Sequence, residues 1–110
     1  MEEKVARIYL KIKMILTELN LDEKYIAFEY LTNIIMHYII TKDDSIANYK
    51  NAIKIIEEKF NVKYSRITIG VSNLLKGCNF NKIIDTQHLA LSPSIHKKTV
   101  IIKNYILKNL

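Results

Sequence analysis

The sequence of 110 residues contains two glycines, one proline, one cysteine and no tryptophan. Turn-rich β-sandwiches and barrels consume glycine and proline, so the scarcity of both excludes those classes and favours an all-α fold. The single cysteine, Cys78, cannot form an internal disulfide bond, which is typical of a protein from a reducing cytoplasm. Since 49% of the residues are hydrophobic, the chain can bury the core of one domain spanning residues 1–110.

Long hydrophobic runs are also missing, because apolar stretches such as residues 100–102 are only a few residues long. This excludes a transmembrane helix and predicts no membrane partner. The charged start of the chain does not resemble a signal peptide. We therefore expect a cytoplasmic protein.

The usual signs of catalysis are absent. The three histidines, His37, His88 and His96, are scattered, and no cysteine or carboxylate stands near them at the spacing of metal ligands. Two glycines cannot form a glycine-rich phosphate loop. We therefore predict no enzyme activity, no metal site and no cofactor.

Acidic residues are nearly absent from the second half of the chain. Residues 1–58 carry eight basic and ten acidic side chains, whereas residues 59–110 carry nine basic and one acidic side chain. This asymmetry predicts an anionic partner for the second half, such as a nucleic acid, an acidic protein or a membrane surface. The alternative is a solvated lysine face that reflects an AT-rich coding genome, since the chain holds 15 lysines and two arginines.

Apolar residues recur at spacings of three and four, the period of amphipathic helices. The pattern predicts helices over residues 3–19, 23–40 and 46–59. We expect the second helix to lie at the centre of the domain because its apolar stripe is wide. Asp22 is predicted as its N-cap. The predicted buried residues include Ile26 in the second helix and Ile46 in the third.

Asn61 lies in a short segment between the third helix and a fourth over 64–76. Asparagine tolerates the left-handed conformation that a tight turn needs, and Val62 is expected to pack between the two helices. Gly77 is predicted as the C-cap of the fourth helix. Residues 46–76 therefore have the layout of a helix-turn-helix, whose second helix is presented to DNA. Plain helical bundles also contain such pairs.

The last part of the chain is less regular. Residues 80–91 suggest a short helix with loose ends, followed by a proline that interrupts the pattern. Ser94 is a favourable N-cap for a final helix over 95–108. Together these segments predict a compact all-α domain of five or six helices. Four lysines of the final helix are expected to be exposed: Lys97, Lys98, Lys103 and Lys108.

The outer face of the predicted recognition helix supplies the candidate DNA contacts. Arg66 lies in its first turn, where such helices usually touch base edges, and an arginine can hold a guanine by two hydrogen bonds. The simpler interpretation is a surface arginine without a ligand. The candidate base-facing residues are Arg66, Thr68, Ile69, Ser72 and Asn73. The candidate phosphate-binding residues are Lys59, Lys63, Tyr64, Ser65 and Lys76, with Lys97 and Lys98 as further backbone or dimer contacts.

Three segments resemble the C-terminal effector domain of the stage-zero sporulation protein A family, the response regulators of endospore formation. They are FEYL at 28–31, AIKIIEEKFN at 52–61 and SRI at 65–67. The family pattern aligns without a gap from Ile12 to Leu75, and a looser match continues to the final helix. The resemblance implies a six-helix domain whose third and fourth helices bind short AT-rich promoter boxes, in tandem or as a dimer.

The match is weaker at the residues that approach bases in that family. The first arginine falls on Arg66 and is retained, whereas a glutamate and a second arginine are replaced by Thr68 and Ile69. A basic residue and a histidine are replaced by Ser72 and Asn73. Each bidentate base contact contributes about 1–3 kcal/mol of discrimination, so these changes would remove much of the family's sequence preference, although Thr68 and Ile69 can contact thymine methyl groups.

Family members also carry a phospho-receiver domain, and no receiver sequence is present here. We therefore expect an excised domain or a stand-alone protein, and phosphorylation control does not carry over.

Three functional hypotheses follow. In the first, the chain is a DNA-binding transcription regulator that binds AT-rich double-stranded DNA through the fourth helix. In the second, it is a diverged relative that no longer recognises DNA and dimerises with or modulates such a regulator, because an outward Ile69 suits a protein interface. Nonspecific nucleic-acid binding by the basic half is a third, weaker hypothesis.

Overall fold

The computed structural model describes residues 3–83 and 94–110, which contain five α-helices and no strand. The helices are α1 at Glu3–Glu18, α2 at Ile26–Thr41, α3 at Ile46–Phe60, α4 at Tyr64–Leu75 and α5 at Ile95–Lys108. The all-α prediction is confirmed. Of the short helix predicted at 80–91, the described part is a single 3₁₀ turn, Phe80–Lys82, and residues 84–91 lie outside the described residues.

α2 is the central helix, since it packs against each of the other four helices. Phe28, Leu31 and Ile35 on α2 have no exposed surface. This position was predicted from the wide apolar stripe, because a helix surrounded on most sides needs apolar residues around most of its circumference. All five helices contribute to the core, for example through Leu16, Leu31, Ile53, Ile67 and Ile102.

The start of α2 differs from the prediction. Asp22 is not its N-cap, because its Oδ1 accepts a hydrogen bond from the Lys24 backbone N–H at 3.0 Å and so closes a tight turn before the helix. Tyr25 occupies the cap position without a side-chain capping bond. Ile26 is consequently the first residue of the helix and is 57% exposed, where burial had been predicted.

Serine caps begin α3 and α5. The Oγ of Ser45 accepts a hydrogen bond from the Asn48 backbone N–H at 3.2 Å, and the Oγ of Ser94 accepts one from the Lys97 backbone N–H at 3.1 Å. Each bond satisfies one of the unpaired donors in a first helical turn. The predicted cap at Ser94 is confirmed, whereas Ile46 in the first turn of α3 is exposed and not buried.

A polar cluster centred on the buried side chain of Asn48 joins the end of α2 to the start of α3. Asn48 is 6% exposed, and its Nδ2 donates to the Oγ1 of Thr41 at 2.8 Å and to the carbonyl of Asp43 at 2.6 Å. Its Oδ1 accepts a hydrogen bond from the Nε2 of His37 at 2.9 Å. Both amide protons and the amide oxygen are therefore paired, which compensates the burial of this polar side chain.

α1 and α2 are also joined by a polar contact at the edge of the core. The Oε1 of Glu29 accepts a hydrogen bond from the Nζ of Lys13 at 2.7 Å, and its second oxygen accepts one from the hydroxyl of Tyr9. The side chains of Lys13 and Glu29 are each 28% exposed, so water screens this pair less than it screens a fully exposed ion pair.

A three-residue turn connects α3 to α4. Asn61 has φ 53° and ψ 51°, which is the left-handed conformation predicted for it. The Val62 backbone N–H donates to the carbonyl of Glu57 at 3.2 Å, and the side chain of Val62 is half-buried against the core, as expected. The turn thus satisfies the carbonyl of Glu57 in the last turn of α3 and leads the chain directly into α4.

α4 ends without the glycine cap that was predicted. Gly77 has no positive φ, and Lys76 follows α4 in the right-handed conformation. The Gly77 N–H donates to the carbonyl of Leu74 and the Cys78 N–H to that of Leu75, both at 3.1 Å. Such tightened last-turn bonds satisfy helix carbonyls without a left-handed residue, so the prediction for Gly77 is wrong.

Candidate nucleic-acid interface

α4 is oriented by one apolar face. Ile67, Val71 and Leu75 are buried and recur every four residues, so the opposite side of the helix points away from the core. Ile69 lies on this outer side and is 62% exposed, the largest fraction among the exposed large hydrophobic residues described. Arg66 is exposed in the first turn of α4. We call this exposed side the outer face of α4.

The five predicted base-facing residues divide into two groups. Thr68 and Ser72 are half-buried, and together with Ile69, Asn73 and Ile95 they line a shallow depression. The hydroxyl of Thr68 donates to the carbonyl of Ser65 at 3.1 Å, so it is already engaged within the helix. The residues that point fully outward are Arg66, Ile69 and Asn73.

Gly70 lies where α4 approaches the central helix. A Cβ atom built at Gly70 would lie 3.3 Å from the Cβ of Ala27, which is closer than an ordinary van der Waals contact. Two small residues therefore allow α4 to lie directly against α2. The sequence pattern does not show this role, because Ala27 belongs to a different helix and nothing in the local pattern links the two positions.

A shallow groove borders the outer face of α4. The first turns of α3 and α5 form it with α4, and its lining includes Ile46, Tyr49, Lys50, Tyr64, Ile95 and His96. The Nε2 of His96 donates to the carbonyl of Asp44 at 2.6 Å, which ties the start of α5 to the loop before α3. Burial raises the pKa of the Tyr49 phenol to about 12, so the Tyr49 side chain stays neutral, and the charge of this wall comes from Lys50.

The sequence does not reveal this groove because its lining combines α3 and α4 with α5, which is distant from both in the chain. The nearest sequence signal was the unusual position of two apolar residues, Ile46 and Ile95, in the first turns of their helices. First-turn residues at a helix end are often exposed, and only the packing of the helices brings these two beside α4.

Most of the predicted phosphate-binding residues lie at the two ends of α4. Lys63, Tyr64 and Ser65 form its beginning, and Lys76 follows its last residue. All four are exposed. No acidic residue occurs within residues 59–83, so the segment that contains α4 carries positive charge only.

Lys59 is placed differently from the others. Its Nζ donates to the Oδ1 of Asn33 at 3.1 Å and lies 5.5 Å from the ring centroid of Phe60. The hydrogen bond to Asn33 directs the ammonium group toward α2. Because the residue is exposed and a single surface hydrogen bond is weak, Lys59 can leave this position at little free-energy cost.

The final helix presents fewer exposed charges than predicted. Lys103 pairs with Asp44 at 2.6 Å, and its side chain is only 12% exposed. Its predicted exposure is therefore wrong, because α5 places it against the loop that precedes α3. Lys97 and Lys108 are exposed and Lys98 is half-buried.

The described residues offer little chemistry apart from this surface. Burial raises the pKa of the Cys78 thiol to about 12, so it remains protonated at neutral pH and is a poor nucleophile. Within residues 3–83 and 94–110, no group of three His, Cys, Asp or Glu side chains could hold a metal ion. No helix in that part of the chain is long and apolar enough to cross a bilayer.

Comparisons with protein-family models, with curated proteins and with solved structures found no match to this chain. The candidate interface is therefore defined by its own geometry. It is an exposed helix face with one arginine in the first turn, lysines at both ends and an apolar residue near its middle.

Proposed function

We propose that this protein is a DNA-binding transcription regulator whose α4 enters the major groove of double-stranded DNA. One observation carries the proposal: the outer face of α4 is exposed, begins with Arg66 and belongs to a segment without acidic residues. In this proposal α3 and α4, joined by three residues, act as a helix-turn-helix. The resemblance of three segments to the sporulation effector domain agrees with that role.

The dimensions of α4 suit a recognition helix. Its twelve residues extend about 18 Å at a rise of 1.5 Å per residue, and the major groove of B-DNA is wide enough to admit an α-helix. Arg66 would hold a guanine by its O6 and N7 atoms. Since the side chain of Arg66 is exposed and is not part of the core, it is able to reorient toward a base edge without disturbing the packing of α4.

Phosphate contacts would fix the register of α4 in the groove. Lys63 and Tyr64 would bind phosphates at one end and Lys76 at the other. Lys97, exposed at the start of α5, would extend the first group. Tandem or dimeric binding to AT-rich boxes in the cytoplasm remains part of the proposal by resemblance to the family.

Fluorescence anisotropy tests this proposal with two labelled duplexes, an AT-rich duplex that contains the family's box and a scrambled duplex of the same composition. Titrations are repeated across a salt series. Binding through several lysines predicts that log K falls linearly with log salt, with a slope of about −0.9 for each phosphate neutralised.

The decisive variant is Arg66→Ala. Loss of a bidentate base contact is expected to weaken binding to the preferred duplex by about fivefold or more. Arg7→Ala is the matched control, because the only other arginine is exposed on α1, where it pairs with Glu3 at 2.6 Å. If Arg66→Ala leaves the affinity for every duplex unchanged, α4 is not a recognition helix.

A second candidate function is favoured by the 62% exposure of Ile69. In this alternative, the outer face of α4 binds a protein, for example a regulator of the same family. Absence of DNA binding near physiological salt would support it, together with complex formation that depends weakly on salt and is lost in Ile69→Asp. Equal binding to both duplexes with a steep salt dependence would instead indicate a nonspecific nucleic-acid-binding protein.

A further inference from the structure

We propose that the outward stripe of α4, which consists of Arg66, Ile69 and Asn73, recognises a short DNA element in which A·T pairs adjoin one G·C pair. Ile69 contacts the 5-methyl group of a thymine, and Asn73 contacts the edge of an adenine. This inference rests on the proposed DNA binding and adds the bases that the surface selects.

The spacing of the stripe matches the spacing of bases. Arg66, Ile69 and Asn73 are separated by three and four residues, so their side chains project from the same side of α4. At 1.5 Å per residue the stripe spans about 10.5 Å, which corresponds to about three base-pair steps of 3.4 Å. With α4 aligned along the groove, each side chain would meet a different base pair, with Ile69 between the other two.

The chemistry of Ile69 selects thymine. Its side chain has no hydrogen-bonding group, and it is the most exposed large hydrophobic residue of the described chain. In the major groove only thymine offers a methyl group, whereas the other base edges present donors and acceptors. Placing an isoleucine against such a polar edge would remove water without replacing its hydrogen bonds, which is unfavourable.

Asn73 supplies the complementary polar contact. A side-chain amide can donate to N7 and accept from N6 of one adenine at the same time. Thr68 and Ser72 are less suited to contact bases, because both are half-buried and the Thr68 hydroxyl is bonded to the Ser65 carbonyl. The proposed base contacts are thus limited to three of the five residues that the sequence suggested: Arg66, Ile69 and Asn73.

The test begins with a randomised duplex pool, from which the wild-type protein selects its preferred sequence. That duplex is then synthesised with each thymine replaced in turn by deoxyuridine, which removes only the 5-methyl group. For the wild-type protein one replacement is expected to weaken binding about fourfold, the factor that corresponds to one methyl group leaving an apolar contact. The Ile69→Ala variant is expected to bind the two duplexes equally.

Adenine recognition is tested on the same duplex with 7-deazaadenine, which lacks the N7 acceptor. One such replacement is expected to weaken the wild-type complex about fivefold and to leave the affinity of Asn73→Ala unchanged. The matched control is Ile55→Ala, since Ile55 is an exposed isoleucine, 50% exposed, on α3. This control is expected to keep the full thymine and adenine preferences.

The outcomes separate this inference from the proposed function. If the wild-type protein selects a sequence but tolerates every deoxyuridine, or if Ile69→Ala keeps the thymine preference, Ile69 does not read a methyl group and the regulator proposal stands without it. If no duplex is bound or enriched, the proposed function fails, and the base assignment fails with it.

Discussion

The substitution Asn48→Ala tests whether the polar cluster between α2 and α3 stabilises the fold. It removes three hydrogen bonds, to His37, Thr41 and the carbonyl of Asp43, at distances of 2.6 to 2.9 Å. Each contributes about 1 kcal/mol net. Thr41 and Asp43 are exposed, so water replaces part of the loss, and we expect a decrease of about 2 kcal/mol in the free energy of unfolding.

Urea unfolding followed by far-UV circular dichroism measures this effect. The midpoint is expected to fall while the m-value stays unchanged, and Tm is expected to drop by about 8 °C, at about 4 °C per kcal/mol for a domain of this size. Asn51→Ala is the matched control, because Asn51 is exposed on the same helix. It measures the gain in helix propensity from alanine alone.

A second variant sharpens the test. Asn48→Asp keeps the size of the side chain but replaces the donating amide by an oxygen that faces the carbonyl of Asp43, so it is expected to destabilise the protein at least as much as alanine does. If Asn48→Ala and Asn51→Ala agree within about 0.5 kcal/mol, the cluster contributes nothing net. The junction between α2 and α3 would then depend on apolar packing alone.

Two further predictions concern the contacts of α2. Gly70→Val is expected to destabilise the fold by about 1–3 kcal/mol relative to Asn73→Val, because only the valine at position 70 crowds Ala27. Equal urea midpoints for the two variants would contradict the close approach of α4 to α2 at Gly70. Burial alone raises the pKa of the Glu29 carboxyl, but its hydrogen bonds with Lys13 and Tyr9 outweigh this effect and lower the pKa below its ordinary value. The stabilisation from Glu29 is therefore present above the pKa of the unfolded state and is lost as the pH falls through the pKa of the folded state. Between about pH 5 and pH 3 we expect the wild type to lose more stability than Glu29→Gln. Urea midpoints measured as a function of pH test this prediction.

The helical architecture followed closely from the sequence. The apolar periodicity predicted α1 and α3 to within a residue or so at each end, and the serine before α5 was recognised as its cap. Errors arose at helix ends, where a polar side chain has more than one nearby backbone partner. Asp22 illustrates this point, since the same oxygen that could cap α2 closes a turn with Lys24 instead.

The candidate site was predicted less completely than the fold. Spacing alone placed five residues on the outer face of α4, but Thr68 and Ser72 are half-buried in the folded protein. Lys59, chosen for its charge and position before the turn, is directed toward Asn33 on α2. These positions depend on neighbouring helices, about which the periodicity of a single helix contains no information.

By itself the sequence determined where the helices lie, which side of each is apolar, and that the second half of the chain is basic. These properties are local, because a helix needs only its own period of apolar residues and a suitable cap. Tertiary structure decided that Gly70 meets Ala27, that Asn48 joins two helices, and which side chains of α4 stay outward. Such contacts join residues that are distant in the chain, so only the packing of the helices against α2 could specify them.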